Sequence, residues 1–412
     1  MASKNSKATR RLTRIHNTRL VFKTIYDAVE ISRADVARET DLTRPTVSDV
    51  VAELLEEDLI EEVGYGPSTG GKPPMLLSVA DDSRHLVGVD LARDVFRGGV
   101  LNLRGEVRYR ARRPLEGRRG EAALELAYDL VDDLVAGTDA SILGIGVGTP
   151  GLVDTSSGVV RWAVGLGWRD LPLRKLLQAR CEIPVCVAND CDTAALAEYT
   201  FGEHREADDL VVIKAEEGVG SGILVDGRLL LGDGFGAGEV GHLSVVDKGR
   251  RCRCGHHGCL ETVASVRAVV QRARRLARER PCSLLASLVD HPEAITIDTV
   301  CEAFEAGDAA VDDIVRDVGR YLGIAAANLV SVLSTRRILI AGGLTCFGRP
   351  LVNIIKSEMI SRALVMVARE TEVGLSTLGS DIVILGSAAL VLADEMWLFA
   401  SPCPVSETAE ER

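Results

Sequence analysis

The chain has 412 residues, of which 46% are hydrophobic and 26% charged, and this composition excludes a disordered or fibrous protein. The length suits two or three domains, and no apolar run reaches the ~20 residues that a membrane span needs. The N-terminus is charged but has no apolar core behind it, so it does not resemble a signal peptide. We therefore expect a cytoplasmic protein without a membrane partner.

The net charge of −12 is unevenly distributed. Residues 1–23 contain seven Lys or Arg and no acidic residue, whereas the chain beyond residue 80 carries a net charge of −11. A basic N-terminal arm in front of an acidic body is typical of a protein whose N-terminal end binds DNA. A solvated, disordered tail would show the same charges, so charge alone leaves both interpretations open.

The first 80 residues predict three helices followed by a β-hairpin. The first helix is expected over 12–29, and the second over 32–38 with Ser32 as its N-cap. Thr43 caps the third helix, and Pro45 lies in its first turn, where a missing N–H costs nothing. Apolar residues at helical spacing give the third helix one buried face, formed by Val47, Val50, Val51, Leu54 and Leu55.

The opposite face of the third helix offers polar side chains at its N-terminal end, namely Arg44, Thr46 and Ser48. An arginine and short hydroxyls at the start of the second helix of a helix-turn-helix are typical of contacts to major-groove base edges. The capping Thr43 belongs to the same end. A small three-helix scaffold with a flexible linker is the alternative interpretation of these helices.

A glycine-rich segment at 64–79 predicts a two-stranded hairpin with Lys72 at its tip. A lysine followed by two prolines suits a wing that reaches a phosphate or the minor groove. Basic arm, helix pair and wing follow one another in order. The sequence therefore predicts a winged helix-turn-helix domain over residues 1–82 that contacts DNA through Thr43, Arg44, Thr46, Ser48 and Lys72.

From residue 83 onward, short apolar strands alternate with helices, and the pattern occurs twice. Each half reads as βββαβα, so we expect an α/β fold of two lobes with a cleft between them. The lobes are expected over 83–204 and 205–400, with the last helix packing back on the first lobe and a disordered tail over 401–412. Ligands of open α/β sheets bind where the loops leave the carboxyl ends of the strands.

Asn189 and Asp190 follow a buried strand and begin a helix. A carboxylate at this position can accept a proton from a bound hydroxyl. A simple helix cap would use the same residue types, and the local sequence does not decide between the two roles.

Four thiol and imidazole residues form the most specific pattern in the chain. GEVGH ends at His242, and Cys252, Cys254 and Cys259 follow within CRCGHHGC, where Gly255 and Gly258 allow a tight loop. Three thiolates and one imidazole suit a closed, structural, tetrahedral Zn²⁺ site with one ion per chain. His256 and His257 are alternative fourth ligands. The seven other cysteines stand apart, and we expect them to be reduced thiols, mostly small core residues.

Four motifs match in order those of the ROK family of repressors, open reading frames and kinases. They are GTPGLVD, VANDCDTAALAE, GAGEVGHLSV with CRCGHHGCLE, and IAGGLT. The segment ending in STGGKPPMLLSV resembles the DNA-binding domain of the family's repressors, such as xylose and N-acetylglucosamine regulators. The resemblance covers nearly the whole chain.

The resemblance implies an actin-like, ribonuclease H-like fold, assembly as a homodimer or homotetramer, and a hexose-type ligand in the cleft. The sugar-contacting positions of the family are matched by Asn189, Asp190, Glu239, His242 and Glu261, and Asp190 falls on the catalytic base of the kinases. The family's zinc ligands are matched by His242, Cys252, Cys254 and Cys259, which decides against His256 and His257.

The chain departs from the family's kinases where they bind ATP phosphates. Their D-x-G-G-T-K turn, whose backbone amides hold phosphate, is replaced by residues 90–95, with neither glycine nor threonine. Their second phosphate segment, G-T-G-x-G, has Glu217 in place of the hydroxyl. Family members often carry Asn where this chain has Gly165, which puts one sugar contact in doubt.

The sequence therefore predicts a sugar-responsive transcriptional regulator with a degenerate kinase domain. We expect a repressor that binds an inverted repeat in double-stranded DNA and is released by a monosaccharide or a sugar phosphate. An active ATP-dependent sugar kinase with a DNA-binding domain is one alternative. A DNA-binding adaptor without a sugar ligand is the other.

Overall fold

The structure is a computed structural model that describes residues 10–67, 73–203 and 207–396. The α/β fold class predicted from the sequence is confirmed by its two five-stranded sheets and their helices. Lys72 and the tail at 401–412 lie outside the described residues.

The N-terminal unit consists of three helices and a three-stranded antiparallel sheet of order β1-β3-β2. The hairpin begins earlier than the sequence predicts, because its first long strand already starts at Ile60. The elements of this unit are α1 (Arg10–Ala28), β1 (Ile31–Ser32), α2 (Arg33–Glu39), α3 (Arg44–Glu56), β2 (Ile60–Tyr65) and β3 (Met75–Val79).

Side-chain caps begin the second and third helices at the residues that the sequence predicts. The Ser32 hydroxyl accepts a hydrogen bond of 3.2 Å from the Asp35 N–H, and the Thr43 hydroxyl accepts one of 3.4 Å from the Thr46 N–H. Each cap satisfies a backbone donor that the first helical turn leaves without a partner. The apolar face of α3 is buried in the core of this unit.

The first lobe contains a five-stranded sheet of order β11-β7-β4-β5-β6, in which β4, β5 and β6 are antiparallel and β7 and β11 run parallel to β4. A small antiparallel sheet, β10-β9-β8, is inserted after β7. The elements are β4 (His85–Leu91), β5 (Val95–Asn102), β6 (Val107–Pro114), α4 (Glu121–Ala136), β7 (Ile142–Thr149), β8 (Leu152–Asp154), β9 (Val159–Ala163), β10 (Trp168–Leu171), α5 (Leu173–Cys181), β11 (Val185–Asn189) and α6 (Asp190–Phe201).

The second lobe repeats this strand order in its sheet β14-β13-β12-β15-β16, with an antiparallel meander followed by two parallel strands. Its elements are β12 (Leu210–Ala215), β13 (Val219–Val225), β14 (Arg228–Leu229), α7 (Glu261–Ala264), α8 (Val266–Glu279), α9 (Leu284–Ser287), α10 (Ile297–Glu305), α11 (Ala309–Leu333), β15 (Arg337–Ala341), α12 (Gly348–Arg362), α13 (Val365–Glu370), β16 (Glu372–Leu375) and α14 (Ile382–Glu395).

The last helix, α14, lies directly on the sheet of the first lobe. A Cβ on Gly146 of β7 would come within 1.8 Å of the Ser387 carbonyl oxygen, and one on Gly88 of β4 within 2.2 Å of the Ile384 carbonyl oxygen. Only glycine permits this distance between the backbones. The glycines of these two strands therefore fix where α14 packs.

The N-terminal unit shares a hydrophobic core with the first lobe. Phe22 and Ile25 of α1 are buried in the same cluster as Leu103, which follows β5, and Ile384 of α14. A continuous core of this kind resists movement of one element past another, because protein interiors are closely packed. The N-terminal unit is thus packed onto the lobe rather than joined to it by a linker alone.

One expectation about the cysteines is wrong. Cys301 of α10 and Cys346, which follows β15, were expected to be separate reduced thiols, but the structure joins them in a disulfide with a Cα–Cα distance of 6.0 Å. The 3₁₀ helix at 343–347 packs on α10, and this packing, invisible in the sequence, brings the two residues together.

Among the described residues, no helix is long and apolar enough to cross a membrane.

Candidate functional site

A cavity of about 640 Å³ lies between the two lobes, where β4, β7, β11 and β12 end and β13 begins. Its volume is in the range of clefts that hold whole small ligands. The five residues that the sequence predicts as sugar contacts, far apart in the chain, all line this cavity, namely Asn189, Asp190, Glu239, His242 and Glu261. The structure therefore brings the predicted set together.

Asp190, the first residue of α6, forms an ion pair with Lys214 of β12. The Lys214 Nζ lies 2.7 Å from the Asp190 Oδ2, and the two side chains are only 11% and 14% exposed. Burial alone would raise the pKa of Asp190, but the charge and hydrogen bond of Lys214 outweigh it and hold the pKa below its usual value. The carboxylate is thus ionised and can accept a hydrogen bond, but it is a poor acceptor of a proton.

Asn189 is the residue that caps α6. Its Oδ1 accepts a hydrogen bond of 2.7 Å from the Cys191 N–H, and its Nδ2 donates one of 2.8 Å to the Gly151 carbonyl oxygen. The helix-cap role that the sequence left open therefore belongs to Asn189, and Asp190 keeps its carboxylate for the cavity. Asn189 also fixes the loop between β7 and β8 at the cavity wall.

Asp90, at the end of β4, adds a second buried carboxylate to the cavity floor. It is 1% exposed, and its Oδ2 accepts a hydrogen bond of 2.7 Å from Arg97. Its Oδ1 is buried without a hydrogen-bond partner among the described residues. Burial raises the pKa of Asp90 above its usual value although Lys214 and Arg97 lower it. A buried polar atom without a partner is costly, so it marks a place where a ligand or water binds.

Glu261, at the start of α7, is 5% exposed and lies near two arginines. Its Oε1 is 3.5 Å from Arg267 and 4.0 Å from Arg253. A Cβ on Gly218 would come within 2.7 Å of its Oε2, so the turn after β12 needs a glycine to accommodate it. Glu261 thus faces the cavity with Arg253 and Arg267 beside it.

The turn between β4 and β5 carries Arg93. A Cβ on Gly165 would lie 2.8 Å from the Arg93 Nε, so the arginine occupies the space beside Gly165. Arg93 and Arg253 line the same cavity as Asp190. Arg93 has no ion pair within 4.0 Å among the described residues, and its Nη1 is buried without a hydrogen-bond partner.

Glu217, in the turn between β12 and β13, also lines the cavity. Burial and the neighbouring Asp94 raise its pKa, whereas Arg267, Arg93 and Arg253 lower it. A carboxyl group there is surrounded by both signs of charge. It offers no donor to a nucleotide phosphate when ionised, and its negative charge repels one.

The four predicted metal ligands form one cluster. The ligand atoms of His242, Cys252, Cys254 and Cys259 all lie within 4.8 Å of one another. The His242 Nδ1 is 3.6 Å from the Cys252 Sγ, and the Cys254 Sγ is 3.7 Å from the Cys259 Sγ. Cys252 and Cys259 are buried, and Cys254 is partly exposed. The cluster can bind a metal ion.

Glu239 connects this cluster to the cavity. The Nε2 of His242 lies 3.6 Å from the Glu239 Oε2, while its Nδ1 faces the cysteines. A carboxylate on the free nitrogen of a ligating histidine fixes the orientation of the ring. Glu239 also lines the cavity, so a ligand there and an ion in the cluster would share one neighbour.

The N-terminal end of α3 presents the predicted DNA contacts on one surface. Thr43, Arg44 and Ser48 are exposed, and Thr46 is partly exposed. The hydroxyls of Thr43 and Thr46 lie 2.8 Å apart and hydrogen-bond to each other. These two threonines therefore also stabilise the start of the helix. Arg44 and Ser48 take no part in this cap.

Sequence reasoning missed Lys214, Arg253 and Trp162 as residues of the site. Lys214 could have been recognised because it is a single charge within the buried strand LVVIKA. Arg253 stands between two cysteines of the cluster and is carried to the cavity by them. Trp162, which is 52% exposed and lines the cavity mouth, gave no signal, since its strand belongs to a small inserted sheet.

Comparison with known proteins agrees with this architecture. The model of the ROK family matches residues 86–394. A xylose repressor of Caldicellulosiruptor bescii is 32% identical over 382 residues, covering 92% of this chain and 96% of the repressor. A glucokinase of Halalkalibacterium halodurans is 35% identical over 317 residues, covering 76% of this chain and 96% of the enzyme.

A solved structure resembles the chain over nearly its whole length. It is a ROK family transcriptional regulator, a homologue of the Escherichia coli MLC protein, with a TM-score of 0.81 and 27% identity, covering 94% of this chain and 98% of that one. The likeness confirms the two-lobed, actin-like α/β fold that the sequence predicts. The chain belongs to the ROK family.

Proposed function

We propose that this protein is a sugar-responsive transcriptional repressor, released from its operator when a monosaccharide or a sugar phosphate binds the cavity. One observation carries the proposal: the similarity to the xylose repressor covers 92% of the chain and so extends into the first 85 residues, which the family model does not include. The similarity to the glucokinase covers only 76% of this chain. The N-terminal unit is thus a feature that this chain shares with repressors.

The N-terminal unit would act as a winged helix-turn-helix. Helix α3 would enter the major groove with Arg44, Thr46 and Ser48 towards base edges, and Thr43 would lie near the backbone. Lys72, outside the described residues, would contact DNA from the wing. A homodimer or homotetramer would place two such units on an inverted repeat, because the symmetry of an operator mirrors that of the protein bound to it.

The cavity would bind the sugar through Asn189, Asp190, Glu239, His242 and Glu261. Carboxylates and amide groups arranged around a cleft are suited to a ring of hydroxyls, each of which can donate and accept a hydrogen bond. Lys214, 2.7 Å away, keeps Asp190 ionised, so its carboxylate can accept a hydrogen bond from a sugar hydroxyl. Trp162 at the mouth offers an apolar surface to the sugar ring.

The cluster of His242, Cys252, Cys254 and Cys259 would hold one structural Zn²⁺. The donor set supports zinc, since three thiolates and one imidazole form a closed tetrahedral shell with no position left for water. When bound, zinc would fix the loop that carries Arg253 and orient His242 beside Glu239. The metal would therefore shape the sugar site without contacting the sugar.

An active kinase is the second candidate function, favoured by the 35% identity to a glucokinase. Two observations weigh against it. Arg93 and Glu217 occupy the turns that would surround nucleotide phosphates, and Asp190, in the place of the base, is paired with a lysine. We infer that the kinase machinery is degenerate.

Sugar binding would be transmitted to DNA through the first lobe. Helix α1 shares a hydrophobic core with the first lobe. A movement of this lobe on sugar binding would therefore shift the N-terminal unit of each subunit of the homodimer or homotetramer. A shift of the DNA-free population from 1:99 to 99:1 requires ~5.5 kcal/mol of differential ligand affinity, or ~10⁴-fold.

The test is sugar-dependent release from DNA. The full-length protein would first select its operator from a random-sequence pool, and fluorescence anisotropy would then follow release by a panel of pentoses, hexoses, N-acetyl sugars and their phosphates. At least one compound should weaken operator binding, and Asp190→Asn should blunt this response while leaving affinity in its absence unchanged. A protein that selects no DNA, or whose DNA binding no sugar alters, would contradict the proposal.

A further inference from the structure

Arg93 is a cation inside the cavity that the hydroxyl-binding residues do not use. It arises from the turn between β4 and β5, lines the cavity together with Asp190, and lies against Gly165, which has no side chain to exclude it. Its Nη1 is buried and has no hydrogen-bond partner among the described residues. A buried guanidinium N–H without a partner is costly, and a ligand oxygen would relieve that cost.

A second arginine reaches the same cavity from the opposite lobe. Arg253 stands between Cys252 and Cys254, so the fold of the cysteine loop determines where its side chain lies. Its one acidic neighbour among the ion pairs of the described residues is Glu261, at 4.0 Å, which is too long for a hydrogen bond. Both arginines therefore retain donors that can reach a bound molecule.

Acidic side chains also line the cavity. Asp190, Glu239 and Glu261 can accept hydrogen bonds from hydroxyls, and Glu261 lies beside Arg253. Glu217 also lines the cavity, but no ion pair within 4.0 Å joins it to Arg93 among the described residues. The cavity thus offers both carboxylate acceptors and charged donors.

We propose that the effector carries a negatively charged group, a phosphate or a carboxylate on the sugar, which binds Arg93 and Arg253 while its hydroxyls bind Asp190, Glu239 and Glu261. This inference rests on the proposed function and narrows its ligand class from any monosaccharide to an acidic one. Guanidinium groups suit it, because they donate two parallel hydrogen bonds to a carboxylate or a phosphate. A neutral sugar would leave the Arg93 Nη1 without a partner.

The experiment compares matched charged and neutral ligands on the full-length, zinc-loaded protein. Isothermal titration calorimetry would measure Kd for glucose, mannose and N-acetylglucosamine, for their 6-phosphates, for glucuronate and for inorganic phosphate. For the sugar that fits, we expect a charged form to bind about tenfold or more tightly than the neutral form. A phosphate preference and a carboxylate preference would both support the proposal and would identify the anion.

Two variants assign the preference to Arg93. Arg93→Gln should remove most of the difference between the charged and neutral forms while the neutral form keeps its Kd. Arg316→Gln, which changes an exposed arginine of α11 outside the cavity, should leave the difference intact. An unchanged preference in Arg93→Gln would overturn the assignment.

The outcomes separate this inference from the proposed function. If neutral sugars bind as tightly as charged ones and release the operator, the repressor stands and the acidic effector is wrong. If no sugar of either kind binds or releases the operator, both are wrong. Binding of inorganic phosphate alone, with no difference between the sugar forms, would also contradict the inference.

Discussion

The hydroxyl of Tyr26 in α1 donates a hydrogen bond of 2.8 Å to the carbonyl oxygen of Leu103, at the end of β5 in the first lobe. Both residues are buried, and the guanidinium of Arg104 lies over the Tyr26 ring at 4.5 Å from its centroid. Arg104 also contacts Asp81 at 3.0 Å. This junction joins the helix that supports the N-terminal unit to the first lobe.

Tyr26→Phe should weaken the response of DNA binding to sugar. The change removes one buried hydrogen bond and leaves the Leu103 carbonyl without that donor, so the free energy of unfolding should fall by about 1–3 kcal/mol. The sugar Kd should be unchanged in the absence of DNA, since the cavity is not touched. The ratio of operator Kd with and without sugar should shrink, and by linkage DNA should then affect sugar affinity less.

The control for this junction is Tyr109→Phe. Tyr109 of β6 also donates a hydrogen bond, to Asp133 at 2.9 Å, but on the exposed side of the same lobe. Its loss should leave the sugar response as it is. A full response in Tyr26→Phe would show that the signal does not pass through this contact.

Metal content tests the cysteine cluster. We expect about one equivalent of zinc per chain in purified protein, measured by inductively coupled plasma mass spectrometry, and Cys254→Ser should lose it. Because structural zinc contributes to folding itself, the variant should also lose cooperative melting of the second lobe. Cys282→Ser, which changes an exposed cysteine outside the cluster, should keep both metal and melting. A metal-free protein that melts normally would disprove the zinc site.

How much of this molecule the sequence reveals depends on how local each feature is. The caps at Ser32 and Thr43 were predicted because a cap is defined within four residues. Cys252, Cys254 and Cys259 were predicted as a cluster because one tight loop contains them. His242 needed the family resemblance, since His256 and His257 fit the spacing equally well.

Features that depend on packing between distant segments were not predictable. Lys214 pairs with Asp190 only because α6 of the first lobe packs on β12 of the second. From the sequence, the segment with Arg93 was recognised only as one that lacks the glycines of the kinases. The structure shows that Arg93 lies against Gly165, so these two departures from the family pattern occur side by side. The Cys301–Cys346 disulfide likewise depends on how a 3₁₀ helix packs on α10.

Arg44 should read one base position in each half-site of the operator. Arg44→Ala should cost about 1–3 kcal/mol of binding free energy for the preferred operator and relax the preference at that position, because a bidentate arginine discriminates bases by this amount. Anisotropy titrations with single-base operator variants would measure it. Arg38→Ala, on the exposed surface of α2, is the matched control. An unchanged ranking of the variants would mean that α3 is not the recognition helix.

Removal of Lys214 should make the stability of the protein depend on pH through Asp190. In the native protein Lys214 holds the pKa of Asp190 below its usual value, so this carboxyl is ionised in both folded and unfolded chains between pH 5 and 8 and contributes no slope. In Lys214→Met the main influence that lowers the pKa of Asp190 is lost, and burial, opposed only by Cys191 and Arg93, should raise the pKa of the folded state. The folded variant would then bind more protons than the unfolded chain, so its stability should rise as pH falls.

Denaturant unfolding at pH 5 to 8 would measure the difference between variant and native protein. Lys214→Met should be less stable by about 3–5 kcal/mol at pH 8, because a buried charge loses its partner. The double variant Lys214→Met with Asp190→Asn should recover much of this loss, since no charge is then left unpaired. If Lys214→Met lost the same free energy of unfolding at pH 5 and at pH 8, Asp190 would not be the group whose ionisation destabilises the variant.

The protein should not transfer phosphate from ATP. A nucleotide would meet Arg93 and Glu217 where phosphate-binding turns are required, and Glu217 offers it no donor. Asp190 would have to take a proton from the sugar hydroxyl, but Lys214 stabilises its charged form and so weakens it as a base. Coupled ADP production across the panel of neutral and acidic sugars would measure turnover, with a sugar kinase as positive control.

The kinase test has one decisive pattern. Turnover approaching the ~1–100 s⁻¹ typical of kinases, abolished by Asp190→Asn, would make the protein an enzyme with a DNA-binding unit. We expect background ADP production that Asp190→Asn does not change, while the same variant loses sugar-induced release from DNA. Restoring a donor with Glu217→Thr should not create activity by itself, because the turn at residues 90–95 would still lack the glycines whose backbone amides hold phosphate. Asp190 would thus be needed for sensing in a protein that has no chemistry for it to perform.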